Sequence, residues 1–310
     1  MARTEVVDLL ALCRVPDVSW SFLAREAQRP GGLADLLAGR SSEQSTDARD
    51  TLRSLDTASG DLSKNRSWIS KTLEDLEAAG AHVTTVLDDD YPVNLRLIYN
   101  LPPFLTYRGT LRDDDALSVA VVGTRDATAD GIKRATKMAR ALTQAGVTVL
   151  SGLARGIDTA AHEATLEAGG RTIAVMGTGI RRVYPEENRG LAERIADNGA
   201  LVSQFWPDGP PTTYSFPRRN VVMSGMGQGT VVVEASATSG AKMQARIALE
   251  HGKRVFLLPS LVKEREWARR YLDKGAVEVG SADDILRLLQ SPEVLQARTE
   301  QRRQLTLTLS

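Results

Sequence analysis

SVAVVGTRDATADGIKRATKMARALTQAGVTVLSGLARGID, residues 118–158, decides how this chain folds. The apolar run Val119 to Val122 ends in Gly123-Thr124-Arg125. A helical pattern follows, with Ile132, Ala135, Met138, Ala139 and Leu142 on one face, and Gly146 stops it. A second apolar run, Val147 to Leu150, ends in Ser151-Gly152. Strand, glycine turn, helix, glycine, strand is one βαβ unit with a parallel crossover. Ligands of such sheets bind beyond the carboxyl ends of the strands, so function is expected at Gly-Thr-Arg and at Ser-Gly-Leu-Ala-Arg-Gly.

Working outward, strand and helix patterns alternate from Val119 to about Leu289. Thr159 to Ala168, Leu191 to Asp197, Arg219 to Met226, Ala241 to His251 and Ala282 to Leu289 read as helices. Thr172 to Met176, Leu201 to Ser203, Gly229 to Glu234, Arg254 to Leu258 and Ala276 to Val279 read as strands. The fold class is therefore α/β, a doubly wound Rossmann-like, mostly parallel sheet.

Ahead of it, residues 1–80 read as a small helical domain. Its helical spacing breaks at Val15-Pro16-Asp17 and at Arg29 to Gly32. Residues 40 to 66 form a surface helix or loop, and Ser67 to Ala79 is helical. Residues 81–117 lead into the sheet, with Val83 to Leu87 and Phe104 to Arg108 as strands and a short helix opened by Pro92. The sheet domain spans 118–290, and 291–310 is a polar tail.

The 310 residues carry 39 Lys plus Arg against 39 Asp plus Glu, so any basic surface is local. One cysteine, Cys13, excludes an intrachain disulfide and a cysteine metal site. His82, His162 and His251 lack metal-ligand spacing. Asp88-Asp89-Asp90 reads as a solvated turn rather than a metal site. With no signal peptide or membrane span in view, the chain is expected in the cytoplasm. A dinucleotide site needs Gly-x-Gly-x-x-Gly and an acidic residue ending the second strand, and both are missing, so no cofactor is expected.

What remains are four strand ends with small, hydroxyl or basic groups. Gly123-Thr124-Arg125 places helix amides and an arginine where a phosphate could sit. In Ser151-Gly152-Leu-Ala-Arg155-Gly156, glycines admit a close backbone, Ser151 can donate and Arg155 offers a fork. Asp158 reads as the N-cap of the next helix, and His162 as a residue that packs or bonds to a loop. Phe216-Pro217-Arg218-Arg219-Asn220 fits a stacking and phosphate platform for single-stranded nucleic acid, and equally a proline-initiated helix with a buried aromatic. Ser239-Gly240 opens another helix with an anion-binding edge or a simple cap. Together they suggest one extended polar groove.

The ordered string Val122-Gly-Thr-Arg, Ser151 to His162, Thr172-Ile-Ala-Val, Val183-Tyr-Pro-Glu-Glu-Asn188, Phe216 to Asn220 and Val233-Glu-Ala-Ser with Ser239-Gly240 closely resembles the DprA/Smf DNA-processing family. So do Asp88 to Pro92 and Leu101 to Gly109. The resemblance implies a non-enzymatic, homodimeric protein that binds single-stranded DNA and helps load a RecA-type recombinase in natural transformation or recombination. It implies phosphate contacts from Arg125, Ser151, Gly152, Arg155 and Gly156. Backbone and base contacts would come from Phe216, Arg218, Arg219 and Asn220.

The chain departs from the family pattern at Val221, Gln204, Ala241 to Gln244, and Pro259 to Arg270, and a C-terminal winged helix is expected to be missing. The alternative is a nucleotide-binding enzyme or sensor of the LOG-type phosphoribohydrolase class. There, Gly227 to Glu234 would be a loose copy of the motif and Glu234 would steady a ribosyl cation, against a plain capping role for that carboxylate.

Overall fold

The computed structural model describes residues 3–58, 61–291, 294 and 297. One sheet of nine strands runs through it. The strands are β1 (Ala81–Thr85), β2 (Phe104–Gly109), β3 (Ser118–Val122), β4 (Thr148–Ser151), β5 (Thr172–Val175), β6 (Ala200–Ser203), β7 (Gly229–Val232), β8 (Arg254–Leu257) and β9 (Val277–Glu278). Their order is β1-β2-β6-β5-β4-β3-β7-β8-β9. The seven from β6 to β9 are parallel, and β1 and β2 add antiparallel at the β6 edge. Strand order reverses between β3 and β7, which pair directly from Val119 with Gly229 to Val122 with Val232. The switch point of this doubly wound sheet therefore lies where the quoted stretch begins.

Side-chain alternation along β3 sorts the helices between the two faces. Val119 and Val121 pack with α6 (Ala129–Gln144), α7 (Ile157–Glu167) and, near the β9 edge, α13 (Ala282–Leu286). Ala120 and Val122 pack in the cluster that holds α9 (Ser215–Met226), α10 (Gly240–Glu250) and α12 (Glu266–Leu272). Helix α8 (Arg189–Asn198) buries Leu191, Ala192 and Ile195 with Leu201 of β6.

The amino-terminal helices α1 (Arg3–Cys13), α2 (Trp20–Ala27), α3 (Gly32–Leu37), α4 (Thr46–Thr57) and α5 (Leu62–Ala78) share the cluster of Ala120 and Val122. Trp20 meets Phe104 of β2 at 5.1 Å between ring centroids and Trp206 at 5.8 Å, and Trp68 meets Trp206 at 5.5 Å. Within the polar stretch 40 to 66, Ser45 caps α4, which buries Ala48, Thr51 and Leu55. Helix α5 starts five residues ahead of Ser67 because Leu62 already packs on the core.

One expectation changes, and two further segments gain a definite structure. The segment after Pro92 forms only a 3-10 turn, Leu95–Leu97. Asn94 pins it by donating to the carbonyls of Ala116 and Met226 at 2.9 and 2.8 Å, and Ile98 ends it in an extended conformation. The acidic triple is a turn, as expected, and two of its carboxylates tie it to β1: Asp88 accepts from the Thr85 amide and hydroxyl, and Asp90 from the Thr84 hydroxyl. Pro259 to Arg270 is helical, as α11 (Pro259–Glu264) and α12, with Leu261, Trp267 and Ala268 buried. Apart from Ser291, Val294 and Ala297, the tail lies outside the described residues. No helix among the described residues is long and apolar enough to cross a membrane.

Candidate functional site

A cleft of about 410 Å³ opens at the carboxyl ends of β3 and β7, roofed by α9. The β3–α6 loop supplies Gly123, Thr124 and Arg125; α9 supplies Phe216, Arg219 and Asn220; the segment after β7 supplies Ser239 and Gly240. These eight sequence-derived residues come together. Ser151, Gly152, Arg155, Gly156 and Arg218 do not line the cleft.

The loops tie themselves to one another. The Thr124 amide donates to the Glu234 carbonyl at 2.7 Å, and the Ile157 amide to the Thr124 carbonyl at 3.3 Å. Gly156, at φ 72°, brings its Cα against the carbonyls of Thr124 and Arg125, where a Cβ would fall 2.5 Å from an oxygen. A side chain at this position would meet both a clash and a left-handed backbone.

Two turns read as phosphate cradles already hold carboxylates of the chain itself. At α6 the first helical turn starts only at Ala129, capped by the Thr128 hydroxyl. The Glu234 carboxylate accepts from that hydroxyl at 2.8 Å and from the Thr128 amide at 3.4 Å, and lies 3.8 Å from Arg134. It occupies the positive end of the helix dipole, where a phosphate was expected beside Gly123. Glu234 does not line the cleft.

At β4–α7 the Gly152 amide donates to Asp158 Oδ2 at 3.1 Å. Asp158 therefore does not cap its own helix. The Thr124 and Ala154 carbonyls take the Ile157 and Thr159 amides of that turn, so the carboxylate turns back onto the loop. Burial holds the Asp158 carboxyl above its ordinary range, against the opposing pull of Arg219 and of the Gly152 and Ala154 amides.

Ser151 is fully buried and its hydroxyl donates to the Val121 carbonyl at 2.7 Å, so it braces β3 against β4 instead of facing a ligand. Gly152 is small to admit Arg219, whose Nη1 donates to the Gly152 and Val175 carbonyls at 2.6 and 3.1 Å. Arg219 Nε donates to Asn220 Oδ1 at 3.0 Å. Arg219 is 8 % exposed as a residue, and its guanidinium is committed to the ends of β4 and β5. The Leu153 backbone between them stands at φ 59°, held by Asn188 Nδ2, which donates to its carbonyl at 2.8 Å. Arg155 pairs on the surface with Glu187 at 2.7 Å.

His162 bonds to a strand and not to a loop. Its Nδ1 lies 2.7 Å from Thr172 Oγ1, and that hydroxyl gives its only proton to the Val149 carbonyl. Nδ1 must then carry the imidazole proton, which leaves Nε2 buried without a partner among the described residues. Burial, with Arg219 nearby, pushes the imidazole down to about 3.

At the rim, Arg125 stands over the Phe216 ring with its guanidinium carbon 5.2 Å from the centroid. Phe216 packs on Gly177 and lies 5.9 Å from the ring of Tyr184. Tyr184, Tyr214 and Arg218 are exposed, and Arg125 and Arg218 pair with no carboxylate among the described residues. The residues that sequence reasoning missed are the cleft's apolar and amide lining, Met223, Met243 and Gln244. Gln244 sits one turn after Gly240, a spacing that would have placed it on the same helix face.

The sequence from 82 to 290 matches the family model described as DNA recombination-mediator protein A. The chain is 38 % identical to protein Smf of Escherichia coli over 232 residues, covering 74 % of this chain and 62 % of Smf. It thus spans less than two thirds of that relative's length. It is 37 % identical over 204 residues to DNA processing protein DprA of Streptococcus pneumoniae, covering 65 % of this chain and 72 % of that protein. An X-ray structure of the S. pneumoniae protein matches with TM-score 0.71 at 30 % identity, over 91 % of this chain and 96 % of that one. DNA processing protein A of Helicobacter pylori, solved in a study of its single-stranded-DNA binding mode, matches with TM-score 0.59 at 27 % identity, over 66 % of this chain and 94 % of that one.

Proposed function

The chain belongs to the DNA recombination-mediator protein A family, and on that premise we propose that it binds single-stranded DNA along the rim of the switch-point cleft. The observation that carries this reading is the Arg125–Phe216 stack. A cation and an aromatic face stand together at the rim, and the cation is not spent on the fold. That pairing suits a strand with its bases unstacked, because every base has a π-face and every linkage a phosphate. Tyr184 and Tyr214 extend the aromatic surface, and Arg218 adds a second cation. In this account Arg125 and Arg218 contact phosphates while Phe216 stacks a base. Arg219 and Asn220 shape the wall between them.

We propose further that the protein acts in the cytoplasm as a homodimer and passes the strand to a RecA-type recombinase in transformation or recombination. This part rests on the family resemblance. The chemistry asked of the site is binding, not bond-breaking. The carboxylate that a nucleotide hydrolase would need, Glu234, is engaged at the start of α6.

The test is fluorescence anisotropy of a labelled oligonucleotide, single-stranded against duplex, at two salt concentrations. The account expects preference for the single strand, and log K falling with log salt by about 0.7 per phosphate neutralised. Equal affinity for both forms, or no binding at low salt, would remove it.

A further inference from the structure

We propose that Trp206 is a positioning residue: gripped by the amino-terminal helices, it holds the β6–α9 and β5–α8 loops in place and thereby fixes the Phe216 ring. The inference rests on the single-stranded-DNA reading and adds how the stacking ring is held.

The first argument is anchorage. Trp206 lies in the loop between β6 and α9, and three elements close on its indole. Trp20 of α2 stands at 5.8 Å, Trp68 of α5 at 5.5 Å and Phe104 of β2 at 4.8 Å between ring centroids. Both tryptophans meet it edge-on, at 83° and 89°, which boxes the ring from two directions. Beyond Pro207 the loop has no such hold, for from Asp208 to Tyr214 it buries no side chain. Thr212 and Ser215 then exchange hydrogen bonds that join the loop to the start of α9, where Phe216 sits.

The second argument is the path across to the ring. The Trp206 and Pro207 carbonyls press on Gly179 of the β5–α8 loop, where a Cβ would collide with both. The Gly179 amide donates to the Gly209 carbonyl at 2.9 Å and the Arg181 amide to the Pro207 carbonyl at 3.1 Å, so the two loops are laced together. Two residues earlier, Gly177 is the seat of Phe216: a Cβ there would fall 2.8 Å from the ring. Trp206 is thus joined to Phe216 along its own loop and through Gly179 and Gly177. A stacking ring contributes most when it is held before the strand arrives, because the entropy of fixing it is lost in folding and not in binding.

A double-mutant cycle read by anisotropy of a labelled oligothymidylate tests the proposal in the full chain. Trp206→Ala should weaken binding by roughly three- to tenfold, the size of coupling that packed networks carry. The salt slope should not change, because no cation is lost. In a Phe216→Ala background the same substitution should cost less than about twofold, since no ring is left to place. Trp206→Phe, which keeps an aromatic ring in the box, should stay within about twofold of the parent.

Equal losses in both backgrounds, or parent affinity in a folded Trp206→Ala chain, overturn the positioning role and leave the single-strand reading in place. If Trp206→Ala does not fold, Trp68→Ala carries the same cycle, since Trp68 is 37 % exposed and meets Trp206 from α5. Unchanged affinity there, or a loss additive with that of Phe216→Ala, overturns the proposal equally. Absence of binding by the unaltered chain removes the single-strand reading and this inference together.

Discussion

Arg219 fills the space in front of Gly152: its Nη1 donates to the Gly152 carbonyl at 2.6 Å, and a Cβ on residue 152 would fall 1.6 Å from that nitrogen. The glycine that looks like room for a ligand is room for a side chain of the protein. Through this contact α9 is fastened across the ends of β4 and β5, and the roof of the cleft is fixed.

Gly152→Ala should therefore destabilise the fold by about 1–3 kcal/mol, the usual cost of overpacking a closed site. Arg219→Leu should act in the same direction by leaving two carbonyls unpaired. Urea unfolding of the purified variants measures both. A Gly152→Ala protein as stable as the parent would mean that Arg219 is not pinned there.

Arg125 and Phe216 should separate in binding, although they touch. Phe216→Ala removes a stacking face and should cost about 1–3 kcal/mol of affinity with the salt slope preserved. Arg125→Ala removes a phosphate contact and should lower the slope by about 0.7 as well as the affinity. Salt titrations of the two variants against one oligonucleotide distinguish these outcomes. Neither change should lower the melting temperature by more than about 2–4 °C, because both side chains stand at the surface of the cleft.

Glu234→Gln keeps the hydrogen-bonding shape at the start of α6 and removes the charge. The expected loss is about 0.3–1 kcal/mol of stability, the ordinary worth of an anion at a helix amino-terminus. Single-strand affinity should be unchanged, since Glu234 does not face the cleft. Paired thermal melts and binding curves check this. A large effect on ligand behaviour with no effect on stability would assign the carboxylate to the site.

The His162 imidazole sets a pH dependence. Its value in the folded chain is about 3, against 6.5 ordinarily. Between those values the unfolded chain takes up a proton that the folded chain refuses, so stability is full above about pH 6.5 and falls as pH drops toward 3. His251, pushed down to about 4 chiefly by burial, acts in the same sense. Asp158, raised by burial, acts in the opposite sense, because its proton is held more tightly in the folded chain.

His162→Asn keeps a donor toward Thr172 and removes the titration. The stability difference between parent and variant should shift in the variant's favour as pH falls from 7 to 4. A difference that does not vary with pH over that range would contradict the burial of a neutral imidazole.

How much of this was legible in the sequence follows from what each pattern encodes. Alternating apolar runs and helical spacing report burial, so the strands from β3 to β9 and the helices between them, apart from α11 and α12, were readable to within a few residues. Gly123 to Arg125, Phe216, Arg219, Asn220 and Ser239-Gly240 were readable as neighbours because strand ends of a parallel sheet converge. The committed interior groups were not. That Glu234 closes α6, that Asp158 turns back on Gly152 and that Arg219 needs the glycine depend on side-chain directions across three segments. One-dimensional spacing does not carry those directions. Gln244 was hidden for the same reason: on a helix face it reads as polar, and spacing does not show its burial.

The most direct test of the switch-point cleft as the strand's seat is photo-cross-linking. A single-stranded oligonucleotide carrying 5-iodo-deoxyuridine would be irradiated in complex with the full chain, and the adducted peptide identified by mass spectrometry. The account predicts adducts on the aromatic rim, at Phe216, Tyr184 or Tyr214. Adducts confined to the amino-terminal helices, at Trp20 or Trp68, would contradict it.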